Sequence, residues 1–170
     1  MTEDEFASAV RYATKGVIFD TNVLLAYLIG LWDIEELARF KRTSAYGQED
    51  FRLLVAIAER IGKLVTTPHV LTEACNLSDT FNKNHGFKIY GMIAELLKQT
   101  TIKERRQGSV HLVKDALFEK FGLADMSLVD ASRRHHMIVT DDAACYAAIK
   151  NTGGCVLNIN HLRGARWLAK

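Results

Sequence analysis

The sequence predicts an α/β fold in which helices cover both faces of a central parallel sheet. Short apolar runs typical of buried strands alternate along the chain with segments whose apolar residues recur at helical spacing. Strands that are separated by helices usually pair in parallel and are covered on both faces. The chain has 170 residues, of which 48% are hydrophobic, so it can fill one core and is too short for two ordinary domains.

The first predicted unit is a strand, a turn and a buried helix. The run Val17-Ile18-Phe19 follows Gly16 and has the composition of a strand. The next three residues, Asp20-Thr21-Asn22, favour the N-cap of a helix. Residues 23–32 are almost wholly apolar, which predicts a helix that is buried on every side.

A second strand and helix are predicted in the middle of the chain. Apolar residues at helical spacing predict a helix around residues 51–58, and the β-rich run at 64–67 predicts a strand. Pro68 ends that run and is favoured as the first residue of the next helix. The polar stretch 79–85 predicts a loop, after which helical spacing returns at Tyr90, Ile93, Ala94 and Leu97.

The last third of the chain is predicted to contain three helices and two strands. The first of these helices ends at Gly122 and is marked by Val110, Val113, Leu117 and Phe121. The elements that follow are a helix at 125–136, a strand at 137–140, a helix at 143–150 and a strand at 155–159.

Charge and cysteine content narrow the possible classes of function. The net charge is +2, so any surface that binds nucleic acid must be local. The three cysteines (Cys75, Cys145 and Cys155) lack C-x-x-C spacing and lie in apolar patterns, which predicts reduced, buried thiols and a cytoplasmic protein. Residues 1–15 carry no apolar signal region, and no run of about 18 apolar residues occurs, so neither secretion nor a membrane span is expected.

Four acidic residues lie where an apolar run ends or a helix begins: Asp20, Glu73, Asp125 and Asp142. In a parallel sheet the ligand site lies beyond the carboxyl ends of the strands, and Asp20 and the pair Asp141-Asp142 directly follow predicted strands. Carboxylates that a fold brings together repel one another and tolerate closeness only around a cation or a shared proton. Because hard divalent cations select oxygen ligands, we expect Mg²⁺ or Mn²⁺ at this site.

Helical geometry separates the acids that lie within predicted helices. Glu73 lies at the edge of a buried stripe, and Asp125 shares the inward face of its helix with Leu128. Asp130 falls on the opposite face, four residues before Arg134, which predicts a solvent-exposed ion pair worth a few tenths of a kcal/mol. Each acid alone has a structural explanation, since three of them could cap helices and Glu73 could be an ordinary edge residue. The four together are harder to explain in that way.

Over about 145 residues, the chain resembles the PIN domain family. Four motifs carry the resemblance, in this order: Val17-Ile18-Phe19-Asp20-Thr21-Asn22, Thr67-Pro68 through Glu73, Gly122-Leu123-Ala124-Asp125 with Leu128 and Ala131, and Ile138-Val139-Thr140-Asp141-Asp142. The resemblance implies a Rossmann-like three-layer α/β/α sandwich that cleaves single-stranded RNA with Mg²⁺ or Mn²⁺. The PIN-like domain would span residues 16–162, with an N-terminal extension at 1–15 and a basic C-terminal tail at 163–170.

The resemblance also implies roles for individual residues. The catalytic acids would be Asp20, Glu73, Asp125 and Asp142. Asp20, Asp125 and Asp142 would bind the metal, and Glu73 would orient or deprotonate water. Asn22 and Thr140 are auxiliary candidates that could hold a water or a phosphate oxygen. Asp141 remains an alternative to Asp142 as the ligand that follows the strand.

The resemblance further implies the partners of the protein. Small members of the family are often toxins of toxin–antitoxin pairs, so the expected partners are single-stranded RNA, an antitoxin protein and a second copy of the chain. The chain is longer than the shortest members between Trp32 and Gly62 and between Asp79 and Phe121. Basic residues that could contact phosphates occur at 103–106, at 133–136, and at Arg163, Arg166 and Lys170.

Three other functions compete with a nuclease. A non-catalytic RNA-binding or scaffold protein on the same fold is the main alternative. A phosphatase of the haloacid-dehalogenase kind would need an acid at the position of Asn22. A nucleotide-binding enzyme would need a glycine-rich or Walker loop after a strand, and neither occurs.

Overall fold

The computed structural model describes residues 3–163, which form an α/β/α sandwich with a five-stranded, all-parallel central sheet. This confirms the predicted fold class. The strands lie in the spatial order β3-β2-β1-β4-β5 and have these bounds: β1 Val17–Phe19, β2 Leu64–Thr66, β3 Ile102–Glu104, β4 Met137–Thr140 and β5 Cys155–Asn158. Arg166, Lys170 and the rest of the predicted basic tail after Arg163 lie outside the described residues.

Eleven helices flank the sheet within residues 3–163. They are α1 Glu3–Tyr12, α2 Thr21–Trp32, α3 Glu36–Arg39, α4 Gln48–Ile61, α5 Pro68–Leu77, α6 Asp79–Asn84, α7 Lys88–Lys98, α8 Ser109–Leu112, α9 Phe118–Ser132, α10 Ala143–Asn151 and α11 Ile159–Leu162. None of these helices is both long enough and apolar enough to cross a membrane.

Strand β1 lies at the centre of the sheet and pairs with β2 on one side and β4 on the other. Val17 pairs with Leu64 of β2 on one side and with Met137 of β4 on the other, and all three residues of β1 are buried. The chain moves outward from β1 to β2 and β3 and then returns to the other side of β1 for β4. The carboxyl ends of β1 and β4 therefore flank a topological switch point, which is where open α/β sheets bind ligands.

The helix that follows β1 is buried, as predicted. Asp20 is its N-cap, and eight of the twelve residues of α2 are buried. Gly30 allows α4 to approach closely, since a Cβ at this position would collide with the ring of Phe51. The strand β1 and helix α2 thus hold the Asp20-Thr21 segment from both sides.

The predicted loop at 79–85 is wrong, because residues 79–84 form α6. Two buried side chains explain the helix. Phe81 is buried in edge-to-face contact with Trp32 and Phe40. The amide of Asn82 is buried, and it donates to the carbonyl oxygen of Ser78 and accepts from the backbone of Ile89. Because the segment is mostly polar, its composition did not indicate that these two side chains are buried.

The sequence also misses strand β3 and misplaces one helix end. The sequence predicts a basic cluster at 103–106 that could contact phosphates or be a solvated helix face, but residues 102–104 pair with β2 at the sheet edge. The helix predicted to stop at Gly122 is divided instead into α8 and the start of α9. Gly122, with φ at 70°, lies at a kink within α9 where two helical segments meet. Within the segment predicted as an extension, α1 packs on β4 and β5 and buries Phe6.

Candidate active site

Asp20 and Thr140 join the ends of the two central strands. Asp20 directly follows β1, and its backbone N–H donates to Val139 of β4 at 2.9 Å. One carboxylate oxygen of Asp20 accepts from the backbone of Thr21 at 2.6 Å, and the other accepts from the hydroxyl of Thr140 at 2.5 Å. The Thr140 hydroxyl also accepts from the backbone of Asp142 at 3.0 Å. Thr140, an auxiliary candidate from the sequence, therefore orients two of the predicted acids.

Asp20 is costly to ionise in this position. Its side chain is only 7% exposed. Burial raises the pKa of Asp20 to about 7, in spite of the hydrogen bonds from Thr140 and Thr21, and the charges of Asp125 and Asp141 add to the rise. Near neutral pH this carboxyl is thus poised between its protonated and ionised forms.

Glu73 is connected to the same site through Thr21. The Thr21 hydroxyl donates to Oε2 of Glu73 at 2.6 Å. Glu73 lies on α5, which begins at the Thr67 N-cap and presents Val70 and Ala74 to the core. Glu73 is partly exposed at the edge of that stripe, as the helical spacing predicts. Its Thr21 partner follows Asp20 directly, so the two acids share one short hydrogen-bonded segment.

Asp125 lies on α9 and faces the other acids. Its side chain is partly buried. Burial raises the pKa of Asp125 to about 6, and the charges of Asp142 and Glu73 contribute. The structure therefore brings together all four acids that the sequence singled out, from α5, α9 and the carboxyl ends of β1 and β4.

Asp142 is exposed and caps α10. Its Oδ1 accepts from the backbone N–H of Cys145 at 2.7 Å. A side-chain donor that converges with Asp20 and Asp125 is the thiol of Cys145. The three ligand atoms, one from each of these side chains, lie within 4.8 Å of one another. The sequence predicts Cys145 only as a buried thiol, although its position three residues after Asp142, in the first turn of a helix, is a signal that could place it at this site.

A turn before α4 brings Tyr46 to the acids. Tyr46 is 3% exposed, and its hydroxyl lies beside the carboxylate of Asp141, although no group in the described part of the chain meets it in good hydrogen-bond geometry. Burial raises the pKa of this phenol, and the charges of Asp141 and Asp20 raise it further. Arg163 fixes the turn, since its guanidinium donates to both carboxylate oxygens of Asp50 and to the carbonyl oxygen of Ala45. Tyr46 lies in one of the two regions of extra length and has no counterpart in the four motifs.

The remaining auxiliary candidates lie beside this site. The backbone carbonyl oxygen of Asp141 accepts from the Asn160 side chain at 3.3 Å. The Oδ1 atom of Asn22 is buried without a hydrogen-bond partner among residues 3–163. Its neighbours Asp20 and Thr21 both bond to other site residues, whereas no hydrogen bond described in residues 3–163 joins the side chain of Asn22 to the acids.

The prediction that Asp130 is a solvent-exposed partner of Arg134 is wrong in part. The pair exists, with Arg134 Nε 3.2 Å from the carboxylate, but Asp130 is only 7% exposed. It also accepts from Arg105 at 2.6 Å, from Gln107 at 2.9 Å and from His111 at 3.2 Å. Burial alone would raise the pKa of Asp130, but the hydrogen bonds from Arg105, His111 and Arg134 outweigh it and hold the pKa below its usual value. The burial was missed because Arg105 follows β3, which was itself missed.

The donor atoms at the site fit a divalent cation. Two carboxylates whose pKa values are raised lie close together, and a cation would offset their repulsion. A cavity of about 530 Å³ lies elsewhere, between α1, α10 and β5, and is lined by none of the four acids. Comparison with known proteins adds no identification, since no family model, curated protein or solved structure matches the chain significantly.

Proposed function

We propose that the protein is a divalent-cation-dependent endoribonuclease of the PIN-domain type, which hydrolyses phosphodiesters of single-stranded RNA. The observation that carries this proposal is the convergence of Asp20, Glu73, Asp125 and Asp142 at the topological switch point of the sheet. A fold that needed these acids only as helix caps would have no reason to bring them together, because their proximity raises the free energy of the ionised site.

In this proposal Asp20 and Asp125 hold the cation, with Asp142 at the solvent side of the site. Mg²⁺ or Mn²⁺ bound there would neutralise the scissile phosphate and lower the pKa of a nucleophilic water. Thr140 fixes the orientation of Asp20 through its 2.5 Å hydrogen bond. Thr21 fixes Glu73 through Oε2, which leaves Oε1 of Glu73 to accept a proton from the attacking water.

The proposed biological setting is a toxin of a toxin–antitoxin pair that acts in the cytoplasm. All three cysteines are free, which suits a reducing compartment. An antitoxin protein and a second copy of the chain are the partners that this setting implies.

The test is cleavage of a labelled single-stranded RNA by the purified protein with Mn²⁺ or Mg²⁺, with EDTA as the cation-free control. Asp20→Asn should abolish most of the activity. Asp33→Asn is the matched control, because Asp33 is exposed at the end of α2, and the one hydrogen bond described for its side chain within residues 3–163 is a local one from the backbone of Glu35. Cleavage that survives EDTA, or equal losses from the two variants, would exclude the proposed mechanism.

A non-catalytic RNA-binding or scaffold protein is the alternative. It predicts that RNA binds with equal affinity to the unmodified protein and to Asp20→Asn, and that no product forms with any divalent cation. A gel-shift assay run beside the cleavage assay separates the two functions.

A further inference from the structure

Cys145 provides a sulfur atom at the point where Asp20 and Asp125 converge. Cys145 is 0% exposed, so its thiol is shielded from solvent. The sulfur and one carboxylate oxygen from each acid lie within 4.8 Å of one another, a separation that a single cation could bridge. Among residues 3–163, no described hydrogen bond involves this sulfur atom.

At the start of α10, Asp142 is exposed and Cys145 is buried. The carboxylate of Asp142 bonds to the Cys145 backbone, and Asp142 is exposed. The side chain of Cys145, in the first turn of the same helix, points instead toward Asp20 and Asp125. A site built by carboxylates alone would have a third oxygen where this chain places sulfur.

Tyr46 is an independent sign that the site takes a ligand. Its hydroxyl is buried beside the carboxylates of Asp141 and Asp20, yet neither they nor any other group described in residues 3–163 meets it in good hydrogen-bond geometry. Burying an unpaired hydroxyl costs free energy, so such groups normally have a partner in the functional state. A cation that carries water, or a phosphate oxygen, would supply that partner.

We propose that Cys145 is a ligand of the cation site, which makes it a mixed oxygen–sulfur site that prefers Co²⁺, Zn²⁺ or Cd²⁺ to Mg²⁺. The inference rests on the proposed function in that both use the same cation site. When the sulfur–metal bond forms, the thiol proton is released to solvent. Carboxylate and water suit Mg²⁺ and Mn²⁺, whereas a thiolate favours softer cations. Those cations should therefore displace Mg²⁺ from the site.

A spectroscopic titration tests the bond directly. The variant Cys75→Ser/Cys155→Ser keeps Cys145 as its sole thiol. Titration of this variant with Co²⁺ alone should produce an ultraviolet sulfur-to-metal charge-transfer band that saturates at one cation per chain. Adding Cys145→Ser should erase the band and weaken Co²⁺ binding by at least about tenfold, the loss typical even for an outer-shell partner of a metal. Binding of Mg²⁺ should change much less.

A second variant tests the same site in case the triple mutant does not fold. In the Cys75→Ser/Cys155→Ser background, Asp20→Asn leaves the thiol in place and removes a neighbouring ligand. It should lower the affinity measured from the same band. Circular dichroism without metal confirms that each variant is folded.

The outcomes separate this inference from the proposed nuclease. If the sole-thiol variant shows no band while Mn²⁺ still supports RNA cleavage, the thiol is not a ligand and the nuclease stands. If the band forms and no cation supports cleavage, the mixed site stands and the nuclease does not. A band that persists after Cys145→Ser, or that Asp20→Asn leaves unchanged, would place the metal elsewhere and overturn the inference.

Discussion

Asp20→Asn should make the cation-free protein more stable at pH 8, although it removes a proposed catalytic group. The pKa of Asp20 is raised from 3.8 to about 7 in the folded protein. Between these two values the folded state binds more protons than the unfolded state, so the free energy of unfolding falls as the pH rises. The contribution of Asp20 to stability is therefore fully present below about pH 4 and is lost as the pH passes through 7.

The size of the effect follows from the shift. A rise of about 3 pKa units corresponds to about 4 kcal/mol of lost stability above pH 7. Asparagine does not titrate, but it alters the hydrogen bond from Thr140, which should cost about 1 kcal/mol at every pH. The variant should thus be about 1 kcal/mol less stable than the unmodified protein at pH 4 and about 3 kcal/mol more stable at pH 8. The latter corresponds to a rise in Tm of about 6–12 °C for a chain of this size.

Denaturant unfolding in EDTA, from pH 4 to pH 8, measures this difference. Asp33→Asn serves as the control and should stay within about 0.5 kcal/mol of the unmodified protein at every pH, because Asp33 is exposed. A difference between Asp20→Asn and the unmodified protein that does not change with pH would refute the argument that burial raises the pKa of Asp20.

Three further predictions use other contacts. Mn²⁺ at a hundred times its dissociation constant should stabilise the unmodified protein by about 2.7 kcal/mol, and Asp20→Asn should erase most of this shift in a thermal melt while Asp33→Asn keeps it. Asp130→Asn should lower the free energy of unfolding by about 2 kcal/mol, because it weakens a buried cluster of charged hydrogen bonds, and cleavage per folded molecule should not change. Thr21→Val should reduce kcat by about tenfold or more through the lost bond to Glu73, and Thr21→Ser should restore it; equal activity of the two variants would show that Glu73 needs no positioning.

The sequence predicts the centre of the fold better than its edges, for a physical reason. Strands β1, β2 and β4 are buried on both faces, so every residue must be apolar or small and the run is visible in the sequence. Strand β3 lies at the sheet edge and buries only Ile102, so its other two residues are charged. An edge strand of that kind has the composition of a surface loop.

The same distinction applies to the site. Asp20 and Asp142 were identifiable because they follow buried strands, and Asp125 because its phase on the helix is fixed by apolar neighbours. The position of Tyr46 could not be predicted from the sequence, because the turn that carries it is held by Arg163, which lies more than a hundred residues away in the chain. No local pattern records a contact of that kind.

The hydrogen bonds at the site are unevenly shared among the acids, yet the pKa values of both Asp20 and Asp125 are raised, and these raised values link cation binding to proton release. Asp20 accepts two hydrogen bonds and Asp142 accepts one, whereas no hydrogen bond described in residues 3–163 ends on the carboxylate of Asp125. Burial and two neighbouring acids raise the pKa of Asp125 to about 6, and burial raises the pKa of Asp20 further, to about 7, in spite of its two hydrogen bonds. A cation that binds these ionised carboxylates must displace protons from Asp20 below about pH 7 and from Asp125 below about pH 6, so its affinity should rise with pH across that range.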